Sequence, residues 1–241
     1  MMKIALIGHG KMGRMLDELI AHEDDMQVTG IVDVNALASL AEIDACDVAI
    51  DFSYPGNLDA LLDEAQRRGI ALVIGTTGLT SAQEEAIHAA SQHIPIVYAQ
   101  NYSMGVAVLR RALREVAGAL KDDFDIEIVE THHNQKVDAP SGTAKMLLKA
   151  VDPEGEFEVK GGREGMTGKR GREIGMHALR GGTVAGEHSV HFFGAQEELE
   201  FRHRADSREI FARGALKAAK FVTEQQPGLY DMDDVLFGGK A

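Results

Sequence analysis

The fold of this chain is decided by the stretch Lys3-Ile4-Ala5-Leu6-Ile7-Gly8-His9-Gly10-Lys11-Met12-Gly13. Its apolar start is typical of a strand, its last six residues fit G-x-G-x-x-G, and residues 14–22 are predicted to form a helix. A second apolar run, Val28–Val32, ends at Asp33, which follows Gly13 by 20 residues. Together these features predict a dinucleotide-binding βαβ unit. The alternative is a glycine-rich turn that binds no ligand.

Each glycine of this loop has its own role in the motif. Gly8 allows the tight turn, Gly10 lets the backbone approach a pyrophosphate, and Gly13 lets helix and strand pack closely. The helix N-terminus then faces the phosphates, and the acid at the end of the second strand can accept hydrogen bonds from a ribose hydroxyl. The cofactor-binding residues predicted from this segment are Gly8, His9, Gly10, Lys11, Met12, Gly13 and Asp33.

The composition of the chain narrows the classes of protein that it can represent. Its 241 residues allow one large or two small domains, and 44% hydrophobic residues are typical of a soluble globular protein. A net charge of −13 argues against general nucleic-acid binding. The single cysteine, Cys46, excludes an internal disulfide and a multi-cysteine metal centre. Because no run reaches membrane-spanning length and no signal peptide is evident, we expect a cytoplasmic protein.

The first hundred residues alternate between strands and helices. Asn57–Arg68 places apolar side chains at helical spacing, and residues 81–84 (Ser-Ala-Gln-Glu) are predicted to form a capping box that opens a helix ending near Gln92. This alternation predicts an α/β fold, a Rossmann-like doubly wound parallel sheet with helices on both faces. The strand-like runs are Lys3–Ile7, Val28–Val32, Val48–Phe52, Ala71–Ile74 and Ile94–Tyr98.

Small polar residues follow the fourth and fifth of these runs. Because ligands lie at the carboxyl ends of the strands in an open α/β sheet, we expect both segments to line one crevice with the glycine loop. The alternatives are a simple turn after the fourth run and a helix cap by Ser103 after the fifth. The residues that these segments add to the predicted cofactor site are Gly75, Thr76, Thr77, Ala99, Gln100, Asn101 and Tyr102.

The pattern changes after Ser103, where strands begin to follow one another without helices between them. This predicts a second, smaller α+β domain. We therefore predict a dinucleotide-binding domain of residues 1–103 that is completed by residues 208–241, and a second domain of residues 104–207. The second domain is predicted to contain helices at 104–120 and 141–151, strands at 124–129, 174–180, 187–193 and 199–203, and a long exposed loop at 161–175. A final amphipathic helix, 208–223, can return to cover the first domain.

The second domain carries the segment richest in chemical groups, residues 130–144, which read Glu-Thr-His-His-Asn-Gln-Lys-Val-Asp-Ala-Pro-Ser-Gly-Thr-Ala. Histidine transfers protons near neutral pH, Lys136 supplies a positive charge, and a helix that begins at Ser141 offers N–H groups to an anion. These features predict a site for a small acid that is protonated while it reacts. Because neighbours on an extended chain point to opposite sides, His132 and His133 are expected to have different tasks.

Less specific interpretations of the same residues remain open. Zinc would need a third and a fourth ligand, and the sequence has neither H-E-x-x-H nor a cysteine cluster, so we expect no metal. The two histidines can be surface residues, Lys136 can be solvated, and Ser141 can be a plain helix cap. Arg180 could add positive charge near a diacid, but spacing alone does not bring it there.

Residues 130–144 resemble the signature E-x-H-H-x-x-K-x-D-A-P-S-G-T-A of bacterial 4-hydroxy-tetrahydrodipicolinate reductases, also called dihydrodipicolinate reductases. The resemblance continues in order through residues 8–13, 51–53, 75–78, 101–106, 180–188 and 211–215, and so covers nearly the whole chain. It implies an NAD(P)H-dependent oxidoreductase of lysine and diaminopimelate biosynthesis that reduces a cyclic imine dicarboxylate to tetrahydrodipicolinate. It also implies a homotetramer built through the sheet of the second domain, and domains that close about a hinge.

The resemblance assigns roles to individual residues of this segment. It implies that the two catalytic residues are His132, the proton donor, and Lys136, which assists protonation and binds substrate. The residues that it implies for holding the substrate carboxylates are His133, Ser141, Gly142 and Thr143.

The choice between NADH and NADPH depends on Asp33 and the residue after it. The acid suits the free ribose hydroxyl of NADH and would repel the extra phosphate of NADPH. Many members of the family have an arginine next, where this chain has Val34. Lys11 or His9 could still reach a phosphate, so dual use stays open. We expect a preference for NADH.

Two other functions are compatible with a dinucleotide-binding chain. One is a sugar or semialdehyde dehydrogenase of similar two-domain construction, but an enzyme that forms a thioester needs a catalytic cysteine. The other is a non-catalytic redox sensor that binds the cofactor and a partner, which no DNA-binding segment or basic tail supports.

Overall fold

A computed structural model describes residues 1–33 and 38–238, which form eleven strands and seven α-helices. The strands are β1 (Met2–Ile7), β2 (Met26–Val32), β3 (Val48–Asp51), β4 (Ala71–Ile74), β5 (Pro95–Tyr98), β6 (Asp125–His132), β7 (Glu158–Lys160), β8 (Glu173–Arg180), β9 (Gly186–Phe193), β10 (Glu198–Ala205) and β11 (Gly228–Tyr230). The helices are α1 (Lys11–Ile20), α2 (Leu58–Arg68), α3 (Ser81–Ala90), α4 (Met104–Leu120), α5 (Gly142–Val151), α6 (Glu209–Val222) and α7 (Met232–Phe237). None of these helices is long and apolar enough to cross a bilayer.

The chain divides into two compact units, each with its own sheet and core. The first unit comprises Met1–Met104 and the C-terminal segment from Glu209, and the second is the continuous segment Gly105–Arg208. The sheet of the first unit has the order β11-β5-β4-β3-β1-β2, and all its strand pairs are parallel. Because the chain goes from β1 outward to β2 and returns to β3 on the other side of β1, the switch point lies between β1 and β3.

The inner strands β1, β3 and β4 of the first unit are buried over most or all of their length, which is typical of a parallel sheet covered by helices on both faces. Alternate side chains of the sheet form one core with α2 and α3. Helix α2 contributes four buried residues at helical spacing, Leu58, Leu61, Leu62 and Ala65. On the sheet, α6 packs against β3, β4 and β5, and it also contacts α1. This architecture confirms the predicted Rossmann-like α/β fold.

The second unit contains a five-stranded mixed sheet of the order β10-β9-β6-β8-β7. The pairs β6–β8 and β7–β8 are parallel, whereas β9 runs antiparallel to both β6 and β10. Side chains from α4 and α5 form one core with the sheet, in which Leu113, Leu147, Ile128 and Phe192 are fully buried. The unit is therefore of the predicted α+β type.

Three local predictions differ from the structure. The capping box of α3 is formed by Thr80 and Gln83, one residue earlier than predicted, because Thr80 is the residue with extended backbone and its Oγ1 accepts from Gln83 N. Strand β6 continues to His132, past the predicted end at Val129. The exposed loop predicted at 161–175 ends at residue 172, because β8 begins at Glu173, and Arg163 within it binds carboxylates of β6 and β8.

Candidate active site

The glycine loop of the first unit joins β1 to α1 beside the switch point. Gly8 has a φ of +87°, a conformation that favours glycine, and a Cβ there would lie 2.8 Å from the carbonyl oxygen of Phe52. A Cβ on Gly13 would lie 2.1 Å from the carbonyl oxygen of Gly8. The fold of the unit itself therefore requires both glycines.

Gly10 differs from these two because the space beside it is open. A Cβ on Gly10 would have no heavy atom within 4 Å beyond its chain neighbours. It is the N-cap of α1 and has no side chain to bind the N–H groups of the first turn, which begins with Lys11 and Met12. Backbone donors beside open space at a helix N-terminus suit a pyrophosphate. The residues present therefore fit a dinucleotide.

Asp33, which follows β2, is linked to the same loop. The backbone N–H of His9 donates to Asp33 Oδ2 at 3.2 Å. The ring of His9 lies 3.2 Å, Nε2 to Oδ2, from Asp17 of α1. The carboxylate of Asp33, which is predicted to bind a ribose, is thus hydrogen-bonded to the glycine loop. Val34, on which the expected NADH preference partly depends, lies outside the described residues.

The segments after β3 and β4 are joined by hydrogen bonds. Ser53 N–H donates to Thr76 Oγ1 at 2.9 Å, and Ser53 Oγ–H donates to Asp51 Oδ1 at 2.5 Å. Burial raises the pKa of Asp51, although hydrogen bonds from Ser53 and Thr76 oppose the shift. A Cβ on Gly75 would lie 2.3 Å from a ring carbon of Phe52, which follows β3. Thr77 is exposed. Gly75 and Thr76 therefore have structural roles, in close packing and in a hydrogen bond, whereas Thr77 faces solvent.

The segment after β5 holds the last predicted cofactor residues. Ala99 N–H donates to Ile74 O at 3.3 Å, Gln100 is exposed, and Asn101 Oδ1 accepts from the N–H of Ser103 at 2.8 Å. The side chain of Tyr102 is 1% exposed, and its hydroxyl is bonded to backbone carbonyls of β4 and β5. Tyr102 therefore belongs to the core through its side chain, Ala99 and Asn101 are half-buried, and Gln100 is the most exposed of the four.

In the second unit, the end of β6 holds His132 in a hydrogen-bond network. His132 is 9% exposed, and its Nδ1 lies 2.5 Å from Glu130 Oε2. Glu130 is fully buried and also accepts two bonds from Arg180, both at 2.9 Å, and one from Ser141 N at 3.0 Å. Burial opposes its ionisation, but the bonds from Arg180 and His132 lower the pKa of Glu130 below its usual range. The network therefore contains an ionised carboxylate.

A second buried imidazole lies beside this network. The ring centroids of His132 and His188 are 5.1 Å apart at an interplanar angle of 76°. His188 Nε2 lies 3.0 Å from Ser141 Oγ, which also accepts the N–H of Ala144 as the N-cap of α5. Burial, followed by the charge of His132, lowers the pKa of His188 to about 4. His188 is therefore neutral at physiological pH.

The cationic part of the predicted site lies in the loop between β6 and α5. Lys136 Nζ is bonded to Asp138 Oδ1 at 2.7 Å. His133 is half-buried, its Nε2 lies 3.4 Å from Arg208 Nη2, and its Nδ1 is buried with no hydrogen-bond partner among the described residues. The loop therefore brings together the charge of Lys136 and the imidazole of His133, which lies beside the charged Arg208.

Gly142 and Thr143 form the first turn of α5. Gly142 is exposed, with no heavy atom within 4 Å of a Cβ built on it beyond its chain neighbours, and Thr143 is half-buried. The polar atoms of Ser141 are already bonded to protein groups. Gly142 and Thr143 lie at the N-terminus of α5, where the helix dipole and the backbone N–H groups favour an anion.

Metal binding was the competing chemistry for the histidines. Within residues 1–33 and 38–238, no three His, Cys, Asp or Glu side chains are grouped so that they could hold a metal ion.

Two family models together match nearly the whole chain. The family model described as dihydrodipicolinate reductase, N-terminus, matches residues 2–102, and the one described as dihydrodipicolinate reductase, C-terminus, matches residues 105–236. The chain belongs to the dihydrodipicolinate reductase family. The family resemblance drawn from residues 130–144 is therefore confirmed.

Relatives of this family are similar to the chain over nearly its whole length. A 4-hydroxy-tetrahydrodipicolinate reductase from Akkermansia muciniphila is 45% identical over 94% of each chain. Another, from Brachyspira hyodysenteriae, is 41% identical over 98% of this chain and 100% of its own. A solved structure of dipicolinate-bound dihydrodipicolinate reductase from Paenisporosarcina sp. TG-14 has a TM-score of 0.80 at 22% identity and covers 98% of this chain and 100% of that one. That likeness supports the fold.

Three residues of the second-unit network have no role in the sequence-based prediction. Glu130 could have been found, because residues two apart on a strand face the same side and β6 therefore brings it beside His132. Arg180 is 50 residues away, and only the register of β6 with β8, which pairs position 132 with position 180, brings it to the site. His188 likewise depends on the β6–β9 register, in which it pairs with Glu130.

Proposed function

We propose that the protein reduces the cyclic dehydration product of 4-hydroxy-tetrahydrodipicolinate to tetrahydrodipicolinate. The observation that carries this proposal is His132, held through Glu130 at the end of β6 beside the Lys136 loop and the N-terminus of α5. A ring with two carboxylates needs cations and N–H donors for binding, and a positioned acid for reduction. The family to which the chain belongs supports this substrate.

The substrate carboxylates are bound, in this proposal, by Lys136, His133 and the N–H groups of Gly142 and Thr143. Lys136 exchanges its present partner, Asp138, for a carboxylate of the ring. Ser141 acts indirectly, since its own polar atoms fix the start of α5. The helix N-terminus favours the negative charge that the substrate brings.

His132 supplies the proton. Hydride addition to the conjugated imine leaves negative charge on a neighbouring ring atom, and the imidazolium of His132 discharges it. Glu130 stays ionised through the step and holds the ring in place. Water re-protonates His132 for the next turnover.

The first unit binds the reduced dinucleotide, which supplies the hydride when bound. Gly8, Gly10 and the first turn of α1 would hold its pyrophosphate, and Asp33 its adenosine ribose. Because Asp33 would repel a 2′-phosphate, we propose that NADH is preferred. Rates with NADH and NADPH at equal, subsaturating concentration test this, and a clear advantage for NADPH would contradict it.

The alternative dehydrogenases gain no support from Cys46. The residue is half-buried, and burial raises the pKa of its thiol, so it is not a ready nucleophile. We propose instead a cytoplasmic enzyme of lysine and diaminopimelate biosynthesis that assembles as a homotetramer through the second-unit sheet. Light scattering should give about four times the chain mass of 26.1 kDa.

The proposed activity is tested by coupling the purified protein to the synthase that makes its substrate. The absorbance of the reduced cofactor should fall only when the synthase and both its substrates are present. Sugars and semialdehydes serve as the comparison substrates. Cofactor oxidation with those compounds, and none with the synthase product, would refute the proposal.

A further inference from the structure

The carboxylate of Glu130 accepts four hydrogen bonds from groups of the second unit. It has no solvent-exposed surface. Its Oε2 accepts from His132 Nδ1 and from Arg180, and its Oε1 accepts from Arg180 and from Ser141 N. These donors come from β6, from β8 and from the N-cap of α5. Arg180 also donates to Asp138 O at 2.6 Å, which ties the Lys136 loop to the same carboxylate.

We propose that Glu130 is the positioning residue of the reaction, which keeps one proton on His132 Nδ1 and so makes Nε2 the nitrogen that delivers the proton to substrate. An ionised carboxylate has no hydrogen to give. Since Nδ1 lies 2.5 Å from Glu130 Oε2, Nδ1 must carry the hydrogen of that bond. Neutral His132 then has its lone pair on Nε2, and protonated His132 has its exchangeable proton there.

The surroundings of Nε2 agree with this assignment. Within the part of the chain that the structure describes, His132 makes its hydrogen bond through Nδ1, and Nε2 makes none. A Cβ at position 186 would lie 3.1 Å from Nε2, so Gly186 leaves that nitrogen uncrowded. The reacting nitrogen is thus the one that the protein leaves open.

The charges around His132 explain why a carboxylate is needed. Four groups face it: Glu130 from its own strand, Arg180 from β8, His188 from β9 and Lys136 from the loop. Burial lowers the pKa of His132, and the charges of Lys136 and Arg180 lower it further. Glu130 is the group that raises this pKa and so favours the imidazolium. Arg180, bound to both carboxylate oxygens, keeps Glu130 ionised and fixed.

This proton transfer rests on the proposed function. Its reactants are the imidazolium of His132 and the ring that has accepted the hydride, and no other reactant is needed. The Nε2–H bond of the imidazolium breaks, and its electron pair stays on Nε2 as the lone pair. The proton forms a bond to the ring atom that gained the electron pair of the hydride. The second proton stays on Nδ1, bonded to Glu130, so the step leaves the neutral Nδ1–H tautomer, which solvent re-protonates on Nε2 before the next turnover.

The first test compares Glu130→Gln with Glu127→Gln, a matched control on the opposite face of β6. Like Glu130, Glu127 binds arginine and histidine side chains, in its case Arg163, Arg170 and His177. In Glu130→Gln we expect kcat to fall on the order of 100-fold and the pH at which kcat/KM declines to move downward, with the dinucleotide Kd unchanged. Glu127→Gln should retain the wild-type kcat and pH profile. Wild-type values for Glu130→Gln, or the same losses in both variants, would overturn the proposal.

The second test needs no variant. NMR of the ring nitrogens in isotope-labelled wild-type protein reports which nitrogen of neutral His132 carries the proton. We expect the proton on Nδ1, and a neutral tautomer with the proton on Nε2 would overturn the proposal even if Glu130→Gln failed to fold. This readout does not depend on turnover, so it separates failure of the positioning role from failure of the proposed function, in which the wild-type protein itself would not reduce the substrate.

Discussion

His132 is subject to opposing influences on its protonation. Burial at the end of β6 lowers its pKa, and the bonded carboxylate of Glu130 opposes that change, with a net pKa below the ordinary 6.5. The acidic form is therefore a minority at neutral pH, although it is the form that the proposed reaction uses. A catalytic acid can work as a minority species because its lower pKa makes it a stronger proton donor.

The pH dependence of the reaction follows from this lowered pKa. The imidazolium is present below the pKa and lost as the pH rises through it, so kcat/KM should fall with rising pH along a limb centred below 6.5. The measurement is kcat/KM across the acidic and neutral range at fixed ionic strength. A limb centred above 6.5 would show that another group donates the proton.

Replacing His132 tests its role directly. His132→Gln retains a polar side chain but cannot donate a proton from an imidazolium, so kcat should fall by at least about 100-fold. The dinucleotide Kd should not change, because the predicted cofactor site lies in the other unit. His177→Gln is the control, since His177 is also bonded to a glutamate of β6. Wild-type turnover in His132→Gln would exclude it as the acid.

In the loop between β1 and α1, Gly13 is required by the fold, whereas Gly10 is proposed to serve ligand binding. A Cβ on Gly13 would collide with Gly8 O, so Gly13→Ala should destabilise the first unit by about 1–3 kcal/mol. A Cβ on Gly10 meets open space, so Gly10→Ala should leave stability within about 1 kcal/mol. It should weaken NADH binding about tenfold or more, because a methyl group would stand where a pyrophosphate approaches.

Thermal unfolding and titration with NADH distinguish the two glycine variants. Gly13→Ala is the comparison variant, in which NADH binding should weaken because the first unit is destabilised. If Gly10→Ala bound NADH as well as wild type, the first turn of α1 would not be the pyrophosphate site.

The start of α3 is fixed by one N-cap residue. Thr80 accepts the Gln83 N–H and so occupies the N-cap, whereas Ser81 is already helical. Thr80→Ala should therefore lower the free energy of unfolding by about 1 kcal/mol, and Ser81→Ala by less than about 0.5 kcal/mol. Urea denaturation of the two variants measures the difference. A larger loss for Ser81→Ala would restore the cap one residue later, as the sequence predicts it.

Element boundaries show where sequence reasoning succeeds and where it stops. Helix α4 was predicted at its observed bounds because its apolar spacing is regular over 17 residues. The predicted N-cap of α3 is wrong by one residue, because Thr80 and Ser81 are both good capping residues. Strands β7 and β11, of three residues each, were missed because so short a segment has no measurable period.

The candidate site was predictable only to the extent that its residues are close in the sequence. The motif indicates His132, Lys136 and the start of α5, since all lie within residues 130–144. Arg180 and His188 join them through strand pairing, which is a property of the tertiary register and leaves no local pattern. Sequence reasoning therefore found the groups proposed to contact substrate, and missed those that hold His132 in place.

At the scale of the whole molecule, the two units differ in how the chain builds them. The second unit is one continuous segment, Gly105–Arg208, with a core formed by its own helices and sheet. The first unit is discontinuous, because α6 and β11 return from the far end of the chain. Helix α6 buries a row of small residues, and a Cβ on Gly214 would lie 1.7 Å from Tyr102 O, so its backbone packs directly on the segment after β5.

This difference predicts opposite outcomes for two truncations. A fragment of residues 105–208 should fold cooperatively, because it retains its whole core. A chain that ends at Arg208 should lose the first unit, because residues such as Ala215, Ala219 and Val222, all fully buried, no longer cover β3, β4 and β5. A buried methyl group contributes about 0.8 kcal/mol and a buried valine or leucine side chain about 1.5–3 kcal/mol, so the loss of all the buried residues of α6 is comparable to the usual stability of a domain.

Circular dichroism with thermal unfolding measures folding of both truncated proteins, and titration with NADH measures the cofactor site. The 105–208 fragment should show one cooperative transition and no NADH binding, and the chain ending at Arg208 should also bind no NADH. The full chain is the control for binding. If the chain ending at Arg208 bound NADH with the affinity of the full chain, α6 would not be needed to hold the strands whose ends are proposed to form the cofactor site, and the division of the chain into these two units would be wrong.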